Sequence, residues 1–402
     1  MKGTEKGLLK ILDGADKRLY IPVYQRNYDW KKENCDLLFR DLLKLITTDK
    51  KSHFFGSIFS FHFSGGGSED FVIIDGQQRI TTVSLLFLAM INAVKNGDAE
   101  IENQRLCEKI MDTYIVDEYS SDEKKVRLKP TKDDAEAFNK IVAGDVDRFI
   151  DNSNVTNNYN IFYNSIKEMP YNVDQLYEAI RKLCVIDIFV ENDDDPQLIF
   201  ESLNSTGLKL TEADMIRNFV LMGLEAKTQE EYYTRYWLDI EKNTNKTKTA
   251  NFFRDYLTVK QGKIPAIRDV YFVFKKYAED QDILPILVEL LKYSKIYNKI
   301  LTSHTLCKDI DITLKRLNTL DMTVTYPFLL ALFDYAHEVE LPEEDLINTL
   351  SCLETYIVRR LICGIPTNAL NTIFCTLHKD VLRMKRNTDS YSSVVIYILE
   401  NK

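Results

Sequence analysis

The sequence predicts an α+β protein, with a mixed sheet and helices in the N-terminal half followed by a mainly helical domain. Short apolar runs alternate with helical periodicity through the first hundred residues, as mixed α/β units require. From about residue 225 the spacing is helical almost throughout, with breaks near Pro265, Pro285, Pro327, Pro342 and Pro366. With 22 Tyr and 21 Phe against only 14 Gly and 9 Pro, the 402-residue chain favours ordered, helix-rich packing over disordered linkers.

In chain order, Leu19 to Val23 reads as a strand, and Glu33 to Ile46 repeats apolar residues at helical spacing. Phe54 to Phe63 and Phe71 to Ile74 read as two strands joined through Ser64-Gly65-Gly66-Gly67-Ser68. Gln77 to Val94 is apolar on nearly every side, which predicts a helix buried against the sheet. Val126 to Leu128 is a short strand candidate within a helical insertion at about 100–180, and Leu183 to Val190 is a stronger one that returns to the sheet. Asp195 before Pro196 predicts a helix with an aspartate cap and proline in its first turn, running through Phe200 to Leu203. The predicted domains are residues 1–222 and 223–402.

Seven cysteines without a Cys-x-x-Cys pair fit a reducing, cytoplasmic setting. The N-terminus lacks a signal-type apolar core, and the apolar run around Val83 to Ala89, broken by Ser84, is too short for a bilayer, so no membrane role is expected. The net charge of −9 supplies no global attraction to DNA, so any nucleic-acid contact must come from a local basic surface. The best such stretch is Glu241 to Arg268, where Lys242, Lys246, Lys248, Arg254, Lys260, Lys263 and Arg268 are interleaved with Phe252, Phe253 and Tyr256. An amphipathic surface helix explains the same pattern. The five histidines are scattered without a metal-ligand spacing.

The sharpest local feature is Asp75-Gly76-Gln77-Gln78-Arg79, where a buried strand passes through one glycine into a buried helix. The first-turn amides of such a helix are unpaired and lie at the positive end of its dipole, which suits phosphate. Gly76 permits close backbone approach, Arg79 offers a planar fork for phosphate oxygens, Gln77 and Gln78 add amide groups, and Asp75 suits a hydrated Mg²⁺. Asp75 and Gln78 also have the spacing of a capping box that needs no ligand. A second feature, Tyr24-Gln25-Arg26-Asn27-Tyr28-Asp29-Trp30, mixes rings that can stack on a base with groups that reach its polar edge or phosphates, although a packed loop is the simpler account. The third, Phe200 to Asn218, reads as helix, polar turn and helix. Asn204 and Gly207 fit a left-handed stop, Thr211 to Asp214 a cap, and Asp214, Arg217 and Asn218 one helical face bordering a pocket.

Together these segments resemble the N-terminal domain family of GmrSD-type, modification-dependent restriction endonucleases. The resemblance covers roughly residues 5–222. It rests on Ile21-Pro22 with Tyr24-Gln25-Arg26 and Trp30, on Phe55-Gly56-Ser57-Ile58, on Asp75 to Arg79, and on Phe200 with Leu203-Asn204, Gly207, Leu210 and Asp214. Arg217 stands where many relatives have lysine and Ile80 where leucine is usual. In the helical half, Leu353 to Gly364 and Asn371 to Phe374 are similar to the family as well.

The resemblance implies a ParB/sulfiredoxin-like N-terminal fold, nucleotide binding and hydrolysis at the Asp-Gly-Gln-Gln-Arg motif, and defence against foreign, often modified, DNA. The expected chain is an NTP-hydrolysing sensor that acts with Mg²⁺ and regulates restriction. Asp75, Gln78 and Arg79 are the expected catalytic residues, and Tyr24, Gln25, Arg26, Gly76, Gln77, Thr81, Asn204 and Asp214 the expected nucleotide-binding ones. Expected partners are nucleotide, modified phage DNA and a nuclease. The family's His-Asn-His nuclease part is not found within residues 1–402, so DNA cleavage is expected only with a separate or C-terminal nuclease. A nucleotide- or DNA-binding module without turnover is the alternative, and a homo-oligomer is left open.

Overall fold

The structure is a computed structural model that describes residues 2–14, 17–64, 69–118, 125–145, 148–190, 196–204, 210–366 and 368–402. It comprises two compact units, Met1–Lys209 and Leu210–Lys402. The first runs β1 (Lys2–Gly7), α1 (Leu8–Leu12), β2 (Lys17–Tyr20), α2 (Lys32–Thr47), β3 (His53–Ser64), β4 (Glu69–Asp75), α3 (Gln77–Lys95) and α4 (Leu106–Ile110). It continues with β5 (Leu128–Lys129), α5 (Lys132–Ala143), α6 (Asn154–Glu168), α7 (Val173–Arg181), β6 (Leu183–Val190) and α8 (Pro196–Asn204).

Among the described residues the strands form one sheet in the order β1-β6-β3-β4-β2-β5. β3 and β4 are antiparallel, β6 lies parallel to β3, and β2 lies parallel to β4, so the sheet is mixed as expected. β6 does return to the sheet, between β1 and β3. The expected links at Gly65–Gly67, the Asp195 cap and Gly207 lie outside the described residues. β1 was not foreseen, because Lys2-Gly3-Thr4-Glu5-Lys6-Gly7 carries no apolar alternation. Pairing to β6 creates it, and Lys6 ties its edge to Asp187 at 2.7 Å.

α3 is buried on every side at Leu85, Leu86, Phe87, Leu88 and Ala89, which are at most 1% exposed. Each of the leucines and the phenylalanine contributes about 1.5–3 kcal/mol by leaving water, so burial rather than an amphipathic stripe holds this helix. It packs against α6, and Phe87 stacks on Tyr114 with ring centroids 5.1 Å apart. Leu183 and Val185 of β6 and Ile58 and Ile73 of β3 and β4 belong to the same core. The strand-to-helix junction at Gly76 is thereby clamped between the sheet and the most buried helix of this unit.

The second unit runs α9 (Glu212–Leu221), α10 (Ala226–Tyr232), α11 (Leu238–Thr244), α12 (Thr249–Gln261), α13 (Val270–Ala278) and α14 (Ile283–Thr302). It ends with α15 (Lys308–Thr319), α16 (Tyr326–Glu338), α17 (Glu343–Ile362), α18 (Asn368–Met384) and α19 (Tyr391–Glu400). Its helical character matches the sequence reading. The two units divide after Lys209, ahead of α9, which packs on α12 and α13. Rings dominate this core, with Trp237 stacked on Phe253 at 5.7 Å and Phe252 edge-on to Tyr297 at 5.3 Å. Among the described residues no helix is long and apolar enough to cross a membrane.

Asp255 sits in that aromatic core at 2% exposure, with Arg254 Nε 3.5 Å away. Burial pushes its carboxyl up to about 7, and the Arg254 charge only partly opposes this. A carboxyl protonated in the fold but ionised in the unfolded chain contributes stability that is fully present below about pH 4 and is lost as pH rises through about 7. Asp255→Asn is therefore expected to leave the urea midpoint near pH 4 almost unchanged and to raise stability at pH 8 by roughly 1–3 kcal/mol. Equal pH dependence in the two proteins would contradict the assignment.

Candidate functional site

β4 ends with Ile73 and Ile74 buried and Asp75 half-buried, and the chain then turns at Gly76 with φ 96° and ψ −1°. A side chain at Gly76 would be strained in this left-handed conformation, and its Cβ would lie 2.9 Å from Ile58 Cγ1 and 3.1 Å from Ser57 O. Gly76 itself is the N-cap of α3, and no side chain caps the helix. The Asp75–Gln78 capping box that the spacing allows is therefore not formed, because the glycine takes the cap position and Gln78 is engaged elsewhere. The helical bonds begin with Ile80 N–H to Gly76 O at 3.1 Å, which leaves the amides of Gln77, Gln78 and Arg79 as the open end of the dipole.

The loop after β2 is riveted onto this corner. Gln25 Nε2 donates to Ile74 O at 3.0 Å, joining residues 49 apart in sequence. Gln78 Oε1 accepts from Asp29 N–H at 2.8 Å, and Gln78 Nε2 donates to Asn27 O at 3.2 Å. The far side of the loop is held by α5 and α6: Asp134 accepts from Tyr28 N–H at 2.6 Å, and Asn158 donates to Trp30 O at 2.7 Å and to Tyr28 Oη at 3.0 Å. The two sequence motifs thus share one place.

The rings of the loop do not form a stacking platform. Tyr24 is 1% exposed and Tyr28 4%, and burial pushes both phenols up. The Tyr28 hydroxyl bonds Thr82 Oγ1 at 2.7 Å, and Trp30 packs edge-on against Phe55 at 6.2 Å. Tyr24 and Tyr28 anchor the loop and are closed to a base, while Trp30 stays part-exposed. Gln25 and Thr81 are also buried.

What remains open is a small polar group. Arg79 Nη1 donates to Ser57 O at 2.8 Å and lies 3.8 Å from Asp75 Oδ2, with the side chains 29% and 47% exposed respectively. Arg26 is part-exposed and makes no ion pair or hydrogen bond with the described residues. Gln77 is 7% exposed, and its Oε1 is buried without a hydrogen-bond partner. An unpaired buried acceptor is costly, so it marks a place where a polar ligand or water belongs. Among the described residues no three His, Cys, Asp or Glu side chains gather as a metal cage. Asp75 brings one half-exposed carboxylate to the corner, fewer ligands than a metal cage needs.

Asn204 and Asp214 are the remaining expected residues. Asn204 is the last residue of α8, and its side chain is outside those described. Asp214 belongs to the second unit, where it completes the expected cap with Thr211 and holds Arg217 Nη2 at 2.9 Å. Arg217 also bonds Glu241 at 2.9 Å, so the shared face of α9 is a buried ion-pair cluster. In the basic stretch Phe252, Phe253 and Tyr256 are fully buried, and Lys260 is paired with Glu289. Those rings are core and take no part in a surface contact.

Sequence reasoning missed the supporting groups Asp134 and Asn158, and read Ser57 only as part of the family resemblance. Their contacts span 22, 106 and 128 or more residues, a range at which spacing carries no signal.

An α+β unit with a strand–glycine–helix corner and a riveted loop is therefore joined in this chain to a helical unit. The chain belongs to the GmrSD restriction endonuclease N-terminal domain family, which it matches over residues 8–221. Membership assigns it a role in modification-dependent restriction. No curated protein matches the chain. The match ends at the last residue of α9.

The adjacent glutamines should separate in stability measurements. Gln78→Ala removes two hydrogen bonds and is expected to cost about 1–3 kcal/mol, whereas Gln77→Ala removes no bond and should stay within about 0.5 kcal/mol of wild type. Urea unfolding of the two variants checks this, and equal losses would be inconsistent with the bonding described.

Proposed function

We propose that the chain binds a nucleoside triphosphate at the Asp75–Arg79 corner, hydrolyses it, and uses that cycle to regulate restriction of modified DNA. The observation that carries this reading is the buried, unpaired Gln77 acceptor beside three open helix amides. An N-terminus completed by its own side chains would need no ligand, whereas this one is left incomplete.

The residues divide the work as their contacts dictate. The open amides and the Arg79 guanidinium bind phosphate oxygens, and Arg26, uncommitted on a loop fixed at Gln25 and Asn27, swings onto them from the other side. Mg²⁺ bound with the nucleotide supplies charge neutralisation, and Asp75 is the residue that would hold it through its water shell. Gln77 Oε1 accepts a hydrogen bond from the attacking water and orients it; the water oxygen bonds to the terminal phosphorus as the bond to the leaving diphosphate oxygen breaks, and the water's proton passes to an oxygen of the released phosphate. Gln78 has both amide atoms engaged with the loop and is a positioning residue in place of the catalytic one expected. DNA strand cleavage is assigned to a separate or C-terminal nuclease, with nucleotide state as the signal passed to it.

Phosphate release measured with each nucleoside triphosphate, with and without modified DNA, tests turnover. Arg79→Ala should weaken nucleotide binding by roughly 1.5–3 kcal/mol in a calorimetric titration while the fold survives, the range for a charge-assisted hydrogen bond. Gln77→Ala should lower turnover about 100-fold while changing affinity less than about threefold. Affinity of Arg79→Ala equal to wild type would withdraw the site, and binding without turnover would leave a non-catalytic nucleotide module.

A further inference from the structure

The segment Phe55-Gly56-Ser57-Ile58 belongs to the family resemblance but has no part in the chemistry above. It lies in β3, where the register against β6 shifts between Phe54 and Ser57. Such a bulge bends a strand and redirects its groups, and bulges concentrate beside functional sites. Gly56, within the shift, has φ 112°.

Arg79 lies directly on this glycine. A Cβ at Gly56 would stand 2.6 Å from Arg79 Nε, 2.8 Å from Cζ and 3.0 Å from Nη2. Those are separations that a methyl group cannot keep, so the guanidinium occupies the space that a side chain would fill. The next carbonyl, Ser57 O, accepts from Arg79 Nη1 at 2.8 Å and also sits 3.1 Å from the position a Gly76 Cβ would take. One bulge therefore receives the backbone of the turn and the guanidinium of the first helical turn together.

We infer that the β3 bulge is a seat for Arg79, and that Gly56 is a positioning residue which fixes the guanidinium beside the open amides of α3. A long arginine side chain left free would lose rotamer freedom on each binding event. A guanidinium held against a glycine and tethered through Nη1 keeps its remaining donors pre-arranged for an anion. This assignment rests on the phosphate reading of the corner for its purpose, but the seat itself is a contact that can be tested separately.

The experiment is a double-mutant cycle in the whole chain: wild type, Gly56→Ala, Arg79→Ala and both together. Each protein is measured by thermal unfolding without ligand and by calorimetric titration with Mg²⁺ and a set of nucleoside triphosphates. The backbone strain of alanine at a positive φ is common to both backgrounds and cancels in the cycle. Gly56→Ala should lower nucleotide affinity about tenfold when Arg79 is present and less than twofold when residue 79 is alanine. The fall in Tm caused by Gly56→Ala should likewise shrink once the arginine is gone. Equal Tm losses in both backgrounds would overturn the seat. A coupled Tm loss in a wild-type chain that binds no nucleotide would keep the seat and overturn the phosphate reading. Coupled Tm losses with equal affinity losses would show a packing contact only and would overturn the positioning role.

Discussion

At Gly76 the backbone must leave β4, reverse into α3 and pass within van der Waals contact of β3, all in one residue. Only a left-handed conformation makes that turn, and only a residue without a side chain fits against Ile58 and Ser57. Everything else in the corner depends on this. Because the glycine caps the helix without a side-chain acceptor, three amides stay open. Because the helix starts so close to the sheet, Arg79 falls onto the β3 bulge and Gln78 falls beside the loop.

The corner also shows how neighbouring residues of one chemical type take different roles. Gln77 and Gln78 are successive helical residues, separated by about 100° around the axis. Gln78 faces the 25–31 loop and satisfies two backbone groups there, while Gln77 Oε1 has no hydrogen-bond partner among the described residues. The loop is gripped on one side by Gln25 and Gln78 and on the other by Asp134, Asn154 and Asn158. Such two-sided bonding gives Arg26 a rigid base, and its guanidinium has no ion pair or hydrogen bond among the described residues.

Charge in the second unit is organised differently. Arg217 is buried between Asp214 and Glu241, and Trp237 Nε1 donates to the same Glu241 at 2.8 Å. A buried guanidinium paired with two carboxylates is a specifying contact that ties α9 to α11, and removing one partner would leave an uncompensated charge. The family match runs to the end of α9, so this cluster includes matched residues.

Most of the fold was legible in the sequence wherever a period or a cap carried the signal. The all-round apolar run of α3, the strand-like runs of β3 and β4, the return strand β6 and the Thr211–Asp214 cap each follow from local pattern, and each is present. β1 was not legible, because an edge strand of lysine, glycine and threonine exists only through its hydrogen bonds to β6. The residues of the candidate corner could be read as well, since a strand, one glycine and a polar start to an apolar helix form a local arrangement. Their roles were beyond the sequence. Whether Gln78 closes a capping box or holds a loop, whether Tyr24 and Tyr28 face a base or the core, and whether Gly56 is a filler or a seat depend on what lies opposite. Those partners come from segments 22 to more than 100 residues away, and only tertiary packing brings them within hydrogen-bonding distance.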